Sequence, residues 1–260
     1  MTSRATGYFR PGDSWVHRRN PVTKLLALAV VLMADFLLPW PVTLALLGGL
    51  ALIALSIGLG RDVFRALRVP LALLVSIVVV NALFFPGAAD KLATIGPISV
   101  SREGLVFGLS SAARLLVAFV ASILLLFTTL ADDLLESLVA RGANHRIAFV
   151  VLSAVQMVPR LEARAASILD AQQARGLAVG GSLRERARAV IPLVAPVLLG
   201  SLIDVRERTF ALEARGFGAR PVRTAYRTVS DPPGDRVARW LLIALILVVL
   251  GLALTGALGR

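Results

Sequence analysis

The sequence predicts an all-α, polytopic membrane protein with about five transmembrane helices and a cytoplasmic-side domain of long amphipathic helices. Three observations predict it. Of the 260 residues, 57% are hydrophobic and the mean hydropathy is +0.79, too apolar for a soluble domain of this length. The apolar residues are bunched into runs near 25–39, 42–59, 69–86, 105–130 and 239–258. Each is close to the length that crosses about 30 Å of hydrocarbon as a helix, and backbone groups in lipid must bond within their own segment. The third observation is where the net charge of +12 sits. With the N-terminus in the cytoplasm and five alternating spans, 24 of the 28 Lys and Arg fall on the cytoplasmic side, the positive-inside pattern. The basicity therefore reads as orientation and attraction to anionic lipid, not as nucleic-acid binding, since no aromatic-interleaved basic patch accompanies it.

Residues 1–24 form a polar, basic cytoplasmic lead-in. Pro11-Gly12-Asp13-Ser14 reads as a turn, and Asn20-Pro21 reads as a cap with proline in the first helical turn. The first apolar run ends in Pro39-Trp40-Pro41 rather than a small-residue cleavage site, so it is expected to be kept as a span. That short turn makes spans one and two a tight hairpin. Residues 60–68 (GRDVFRALR) read as a basic cytoplasmic loop, and 87–104 as an outer loop that turns at Gly96-Pro97. Four spans thus occupy 25–130, and the last occupies 237–260.

The segment 131–236 is predicted as a cytoplasmic coupling domain. Its apolar residues are plentiful but broken every few positions by charge. Residues 157–175 carry apolar or small residues at 158, 161, 165, 168 and 169 and charge at 160, 162, 164 and 170, the pattern of an amphipathic helix with one buried stripe. Residues 197–215 read as a second such helix. Between them 183–196 is expected to be kinked or divided by Pro192 and Pro196. Pro159, Pro192 and Pro196 are the candidate hinges.

Both helices end in A-x-x-A-R-G followed by a large apolar residue. These are Ala174-Arg175-Gly176 before Leu177, and Ala214-Arg215-Gly216 before Phe217. Shuffled sequence of this composition would show Ala-Arg-Gly roughly 0.3 times, yet it occurs three times. The first copy, at 140–142, lacks the preceding A-x-x and sits at a junction, so it is set aside. Two readings of the others stand. They are ordinary helix C-caps, with arginine in the last turn and glycine in the left-handed position beyond it. Or each presents an exposed guanidinium, a permanently charged planar fork suited to a carboxylate. Two such tips imply two equivalent sockets, as a pair of related subunits would supply. The chain has no G-x-x-x-x-G-K-[ST], since its lysines are Lys24 before Leu25 and Lys91 before Leu92. Any nucleotide hydrolysis must come from elsewhere.

The residues resemble a known family, the transmembrane (T) component of energy-coupling factor transporters, which import vitamins and transition-metal ions in prokaryotes. PGDSWVHRRNPVTKLL resembles its N-terminal signature, QMVPRLEARAASILDAQQARG the approach to its first Ala-Arg-Gly, and ERTFALEARGFGAR its second. The resemblance implies a non-catalytic subunit in the prokaryotic inner membrane whose amphipathic arms are coupling helices that cross. It implies that Arg175 and Arg215 each dock in one of two ATP-binding-cassette ATPases, which hold ATP and magnesium. It also implies a separate substrate-capture (S) component in the membrane. One departure is ARGANH at 140–145, where a smoother apolar junction is expected.

Other residues carry weaker signals. Asp35, Asn81 and Arg114 are polar groups inside spans and read as a structural polar cluster or a contact with the capture partner. His17 and His145, with no cysteine in the chain, do not make a metal site, and His17 suits a surface turn. Asp132, Asp133 and Glu136 read as an acidic helix N-terminus rather than an acid–base pair. Glu213 either orients Arg215 or decorates its helix. Two alternatives from other classes are the permease of a conventional ATP-binding-cassette importer and an intramembrane enzyme. The permease should carry E-A-A-x₃-G followed by I-x-L-P, which VIPLVAP matches only loosely. The enzyme needs a His, Asp or Ser cluster inside the spans.

Overall fold

The computed structural model describes residues 9–85, 91–95, 98–177, 183–217 and 229–254. The chain divides into two compact units, residues 1–141 with 229–260, and residues 142–228. It is an all-α membrane protein, and among the described residues the regular structure is helical apart from two short antiparallel strands.

The first unit opens on a turn. The Ser14 hydroxyl bonds His17 Nδ1 at 2.6 Å, and His17 Nε2 donates to the Arg10 carbonyl at 3.0 Å. Gly12 lies against the imidazole, where a Cβ would come within 3.1 Å of the ring. Helix α1 (Pro21–Leu37) then starts as its sequence dictates. The Asn20 side chain accepts from the Val22 N–H at 3.1 Å, and Pro21 occupies the first turn. Leu38 and Pro39 alone separate it from α2 (Trp40–Ser56), giving the tight hairpin.

Helix α2 ends where Gly58 takes φ +74°, and α3 (Gly60–Phe84) begins two residues later. This corrects the reading of 60–68 as a loop. The stretch forms the first turns of α3, with Asp62 at the positive N-terminus and Arg65 beside it at 3.6 Å. Helix α4 (Arg102–Thr128) returns alongside α3. Its Gly104 and Gly108 let the backbones approach. A Cβ on Gly104 would strike the Asn81 carbonyl, and one on Gly108 would come within 3.0 Å of Val78 Cα. This is the small-residue contact of membrane helices.

Between α3 and α4 lies the departure from all-α. Strands β1 (Lys91–Ile95) and β2 (Ile98–Ser101) pair antiparallel, with Ile95 opposite Ile98. The stretch read as an outer loop holds two paired strands, and the β-branched residues of KLATI and ISVS suit them. The expected turn at Gly96-Pro97 falls outside the described residues. Ser101 caps α4, its hydroxyl accepting from the Gly104 N–H at 3.0 Å.

The core of this unit is built by α2, the start of α3 and the second half of α4. Leu50, Ala54, Leu59, Val63, Val117, Val120, Ala121, Leu124 and Phe127 form it. Helices α3 and α4 are long and apolar enough to cross a membrane, and α2 is a shorter apolar helix. Phe36, Trp40, Leu52, Val69 and Phe84 are exposed. An apolar surface of that extent suits hydrocarbon. Helix α5 (Ala131–Val139), with Asp132 and Asp133 in its first turn, and α8 (Pro233–Leu254) complete the unit and pack on α1.

The second unit consists of α6 (His145–Ala174) and α7 (Leu183–Ala214). Both run further than the sequence suggests. Helix α6 begins twelve residues before the amphipathic stretch, capped by the Asn144 side chain on the Arg146 N–H at 2.9 Å. Helix α7 runs as one helix through Pro192 and Pro196, so of the two expected outcomes, a kink or a division, the division of 183–196 from 197–215 is corrected. Each proline removes one backbone bond, and intact turns on both sides carry the helix past it. The buried stripe expected on α6 is absent, since α6 has no buried residue. Ile147, Val150, Val155 and Val158 are exposed, as are Leu198, Leu199, Leu202 and Ile203 of α7.

Candidate functional site: two arginine-tipped helix ends

The last turns of α6 and α7 are the same structure. Arg175 and Arg215 each follow the final helical residue, and Gly176 and Gly216 take φ of +92° and +69°. The Gly176 N–H bonds the Gln173 carbonyl at 2.9 Å and the Leu177 N–H bonds the Gln172 carbonyl at 3.0 Å. The Gly216 N–H bonds Glu213 at 2.9 Å and the Phe217 N–H bonds Leu212 at 2.9 Å. Both are Schellman caps, which place the left-handed residue where only glycine fits without cost. The cap turns the chain sharply away and leaves the arginine at the helix end. Arg175 and Arg215 are exposed, and neither forms an ion pair with a described residue. Glu213 lies in the last turn of α7 and lends its carbonyl to the cap.

The third Ala-Arg-Gly behaves oppositely. Arg141 donates to the Ser137 carbonyl at 2.7 Å, to Asn20 Oδ1 at 3.2 Å and to Asp231 Oδ1 at 3.3 Å. It is part of an inward network at the first unit's junction. There Asp231 also takes a bidentate pair from Arg239 at 2.7 and 2.9 Å, with Arg236 at 3.5 Å. The Arg239 hydrogen bond first, then the charges of Arg239, Arg141 and Arg236, hold the Asp231 carboxyl below its ordinary range. Asp235 is wholly buried and accepts from Arg19 and from the Asn20 N–H. Lys24 donates to the Thr128 carbonyl at 2.7 Å. Nothing in the local sequence sets Asp231 or Asp235 apart as a site. The one local signal was Asp231-Pro232-Pro233-Gly234, whose Pro233 starts α8.

The two tips differ in their support. Phe217, just past the second tip, stacks on Phe149 at 4.7 Å and His145 at 5.3 Å between ring centroids. Those two residues lie at the start of α6. Arg164 of α6 reaches Asp204 of α7 bidentately at 2.8 and 3.1 Å. The helices therefore run side by side in opposite directions. Of the candidate hinges, Pro159 lies inside α6 and Pro192 and Pro196 inside α7.

Asp35 and Arg114 come together at the end of α1. Asp35 is buried close to Thr43 and Arg114, and the Arg114 guanidinium reaches the carbonyls of Phe36 and Leu38 at 3.4 and 3.3 Å. It covers carbonyls left open where the helix stops. Asn81 lies at the α3–α4 contact, donating to the Ile77 carbonyl of its own helix. Among the described residues there is no cluster of three or more metal-ligating side chains.

Comparison with known proteins adds a family. The model described as CbiQ, cobalt transport protein, matches residues 12–226, from the lead-in turn past the second arginine tip. The chain is similar to proteins named energy-coupling factor transporter transmembrane protein EcfT. That of Thermanaerovibrio acidaminovorans is 35% identical over 254 residues, covering 91% of each chain. That of Lacticaseibacillus paracasei is 32% identical over 271 residues, covering 98% of each. That of Leuconostoc gelidum is 29% identical over 262 residues, covering 95% of this chain and 96% of its relative.

Proposed function

Because this chain belongs to the cobalt transport protein (CbiQ) family and is a transmembrane component of the energy-coupling factor type, we propose that it is the coupling subunit of an ATP-driven importer. Two ATP-binding-cassette ATPases beneath the membrane take Arg175 and Arg215 in grooves lined with carboxylate. ATP and magnesium act in those partners. Helices α6 and α7 carry the resulting motion to a small membrane protein that has captured a vitamin or a transition-metal ion. In this arrangement the chain is multi-pass, with its N-terminus and residues 142–228 on the cytoplasmic face of a prokaryotic cell membrane.

The observation that carries the reading is the pair of matched tips. Each places a guanidinium at the end of a helix of 30 or 32 residues, held out by a Schellman cap and in no ion pair with a carboxylate among the described residues. Plain C-capping needs the glycine but not an exposed arginine. The exposed apolar stripes on α6 and α7 support the same reading, since a surface of that kind is covered by lipid or by another protein.

The test is co-purification. Arg175→Glu and Arg215→Glu should each weaken recovery of the ATPases, and the double variant should abolish recovery and uptake. A desolvated charge pair of this kind is worth about 2–5 kcal/mol, ample for that loss. Full recovery of both ATPases with the double variant overturns the proposal.

A further inference from the structure

Arg164 stands eleven residues before Arg175, and Asp204 stands eleven residues before Arg215. The two arms share their tip motif, so these positions are equivalent. At the equivalent position one arm carries a cation and the other an anion, and the two meet bidentately at 2.8 and 3.1 Å. When equivalent positions of two related elements touch each other, the contact lies on the two-fold axis that relates them, as at an isologous interface. At a rise of about 1.5 Å per residue each tip ends an arm about 16 Å long from that point. The Phe217 ring on Phe149 shows the arms still adjacent a further thirteen residues along α7, so they run nearly antiparallel. The tips then point to opposite sides, about 33 Å apart.

The contact is specifically accommodated. The Arg164 guanidinium lies over Gly200, one turn before Asp204, where a Cβ would come within 2.9 Å of Nη1. No apolar core clamps the arms here, because α6 buries none of its residues. The side chains of Arg164 and Asp204 are themselves about one-third exposed. A planar fork on a carboxylate fixes register and direction.

We propose that the Arg164–Asp204 pair is the pivot of the two coupling arms, holding Arg175 and Arg215 at equal distances on either side of a pseudo-two-fold axis that coincides with the axis of the ATPase pair. The proposal rests on the reading of those arginines as docking groups. Arg164 and Asp204 act as positioning residues, fixing the register of the two arms and with it the separation of their tips.

The chain has no cysteine, so spin labels at Gln173→Cys and Glu213→Cys read the tip separation directly in the assembled transporter. Arg164→Asp should broaden and shift that distance. It should lower uptake at least tenfold while the complex continues to hydrolyse ATP. The exchange Arg164→Asp with Asp204→Arg should restore a narrow distribution and most of the uptake. Gly200→Leu, which displaces the guanidinium without removing a charge, should imitate Arg164→Asp. An unchanged tip distance in Arg164→Asp and Gly200→Leu overturns the pivot, as does an exchanged pair that assembles but stays uncoupled. The docking reading is judged separately. If Arg175→Glu with Arg215→Glu leaves the ATPases bound, that reading fails even where the distance responds to the exchange.

Discussion

Asp235, at the start of α8, is wholly buried and holds Arg19, 216 residues earlier in the chain, at 2.7 Å. Its second oxygen takes the Asn20 N–H at 2.6 Å. The contact ties the lead-in to the last helix and sets where α1 begins. Asp235→Ala leaves a buried N–H and a guanidinium without an acceptor. It should cost about 1–3 kcal/mol, read as a lower melting temperature in detergent. A melting temperature equal to wild type removes the claim.

Asp231 predicts a pH dependence. The Arg239 hydrogen bond depresses its folded pKa below the ordinary value of 3.8. A depressed carboxyl contributes stability that is present above its unfolded pKa and is lost as pH falls through the folded value. The difference in melting temperature between wild type and Asp231→Asn should therefore stay constant from about pH 8 to 5 and shrink below about pH 4. A difference that already declines near pH 6 would point to another group.

Arg141 and Arg175 sit in the same tripeptide and should fail differently. Arg141→Ala loses its bonds to Ser137, Asn20 and Asp231, so it should lower thermal stability while the folded fraction still binds ATPases. Arg175→Ala should leave the unfolding free energy within about 0.5 kcal/mol of wild type and weaken ATPase binding. Titration of purified ATPases against each variant separates the two.

Gly104 should tolerate nothing larger, because its Cβ position is occupied by the Asn81 carbonyl, Ser101 and Phe85. Gly104→Leu should cost at least about 1–3 kcal/mol through overpacking and disrupt the α3–α4 pair. Gly49→Leu has open space around it and serves as the control for hydrophobicity alone. Equal melting temperatures for the two variants would contradict the close contact.

Phe217→Ala removes the rings that brace the second tip on α6 while leaving Arg215 in place. Hydrogen exchange at 212–217 should speed up, with exchange at 172–177 unchanged. Uniform acceleration at both caps would mean the brace is not local.

What the sequence makes legible is what neighbours in sequence decide. Asn20 before Pro21 and Arg175 before Gly176 are short-range capping signals, and both resolve as read. Apolar runs declare helices because lipid leaves no other option. The misreadings arise where distant contacts or long flanks override a local cue. Pro192 and Pro196 look like breaks, but α7 is intact on both sides of them. The charges of 60–68 look like a loop, but Asp62 and Arg65 suit a helix start. Arg141 is set apart by its missing A-x-x, but only the fold shows that Asp231, ninety residues away, holds it. The pairing of Arg164 with Asp204 likewise depends on two helices meeting, which no window of sequence records.

The bond between Arg141 and Asp231 has a topological consequence. Residues 142–228 form their own compact unit, and the chain leaves and rejoins the first unit at two residues that grip each other at 3.3 Å. Both ends of the insert are thus stapled to one spot, so its length scarcely changes the entropy of closing it. Lengthening or shortening the insert therefore leaves the closure of the first unit as it is.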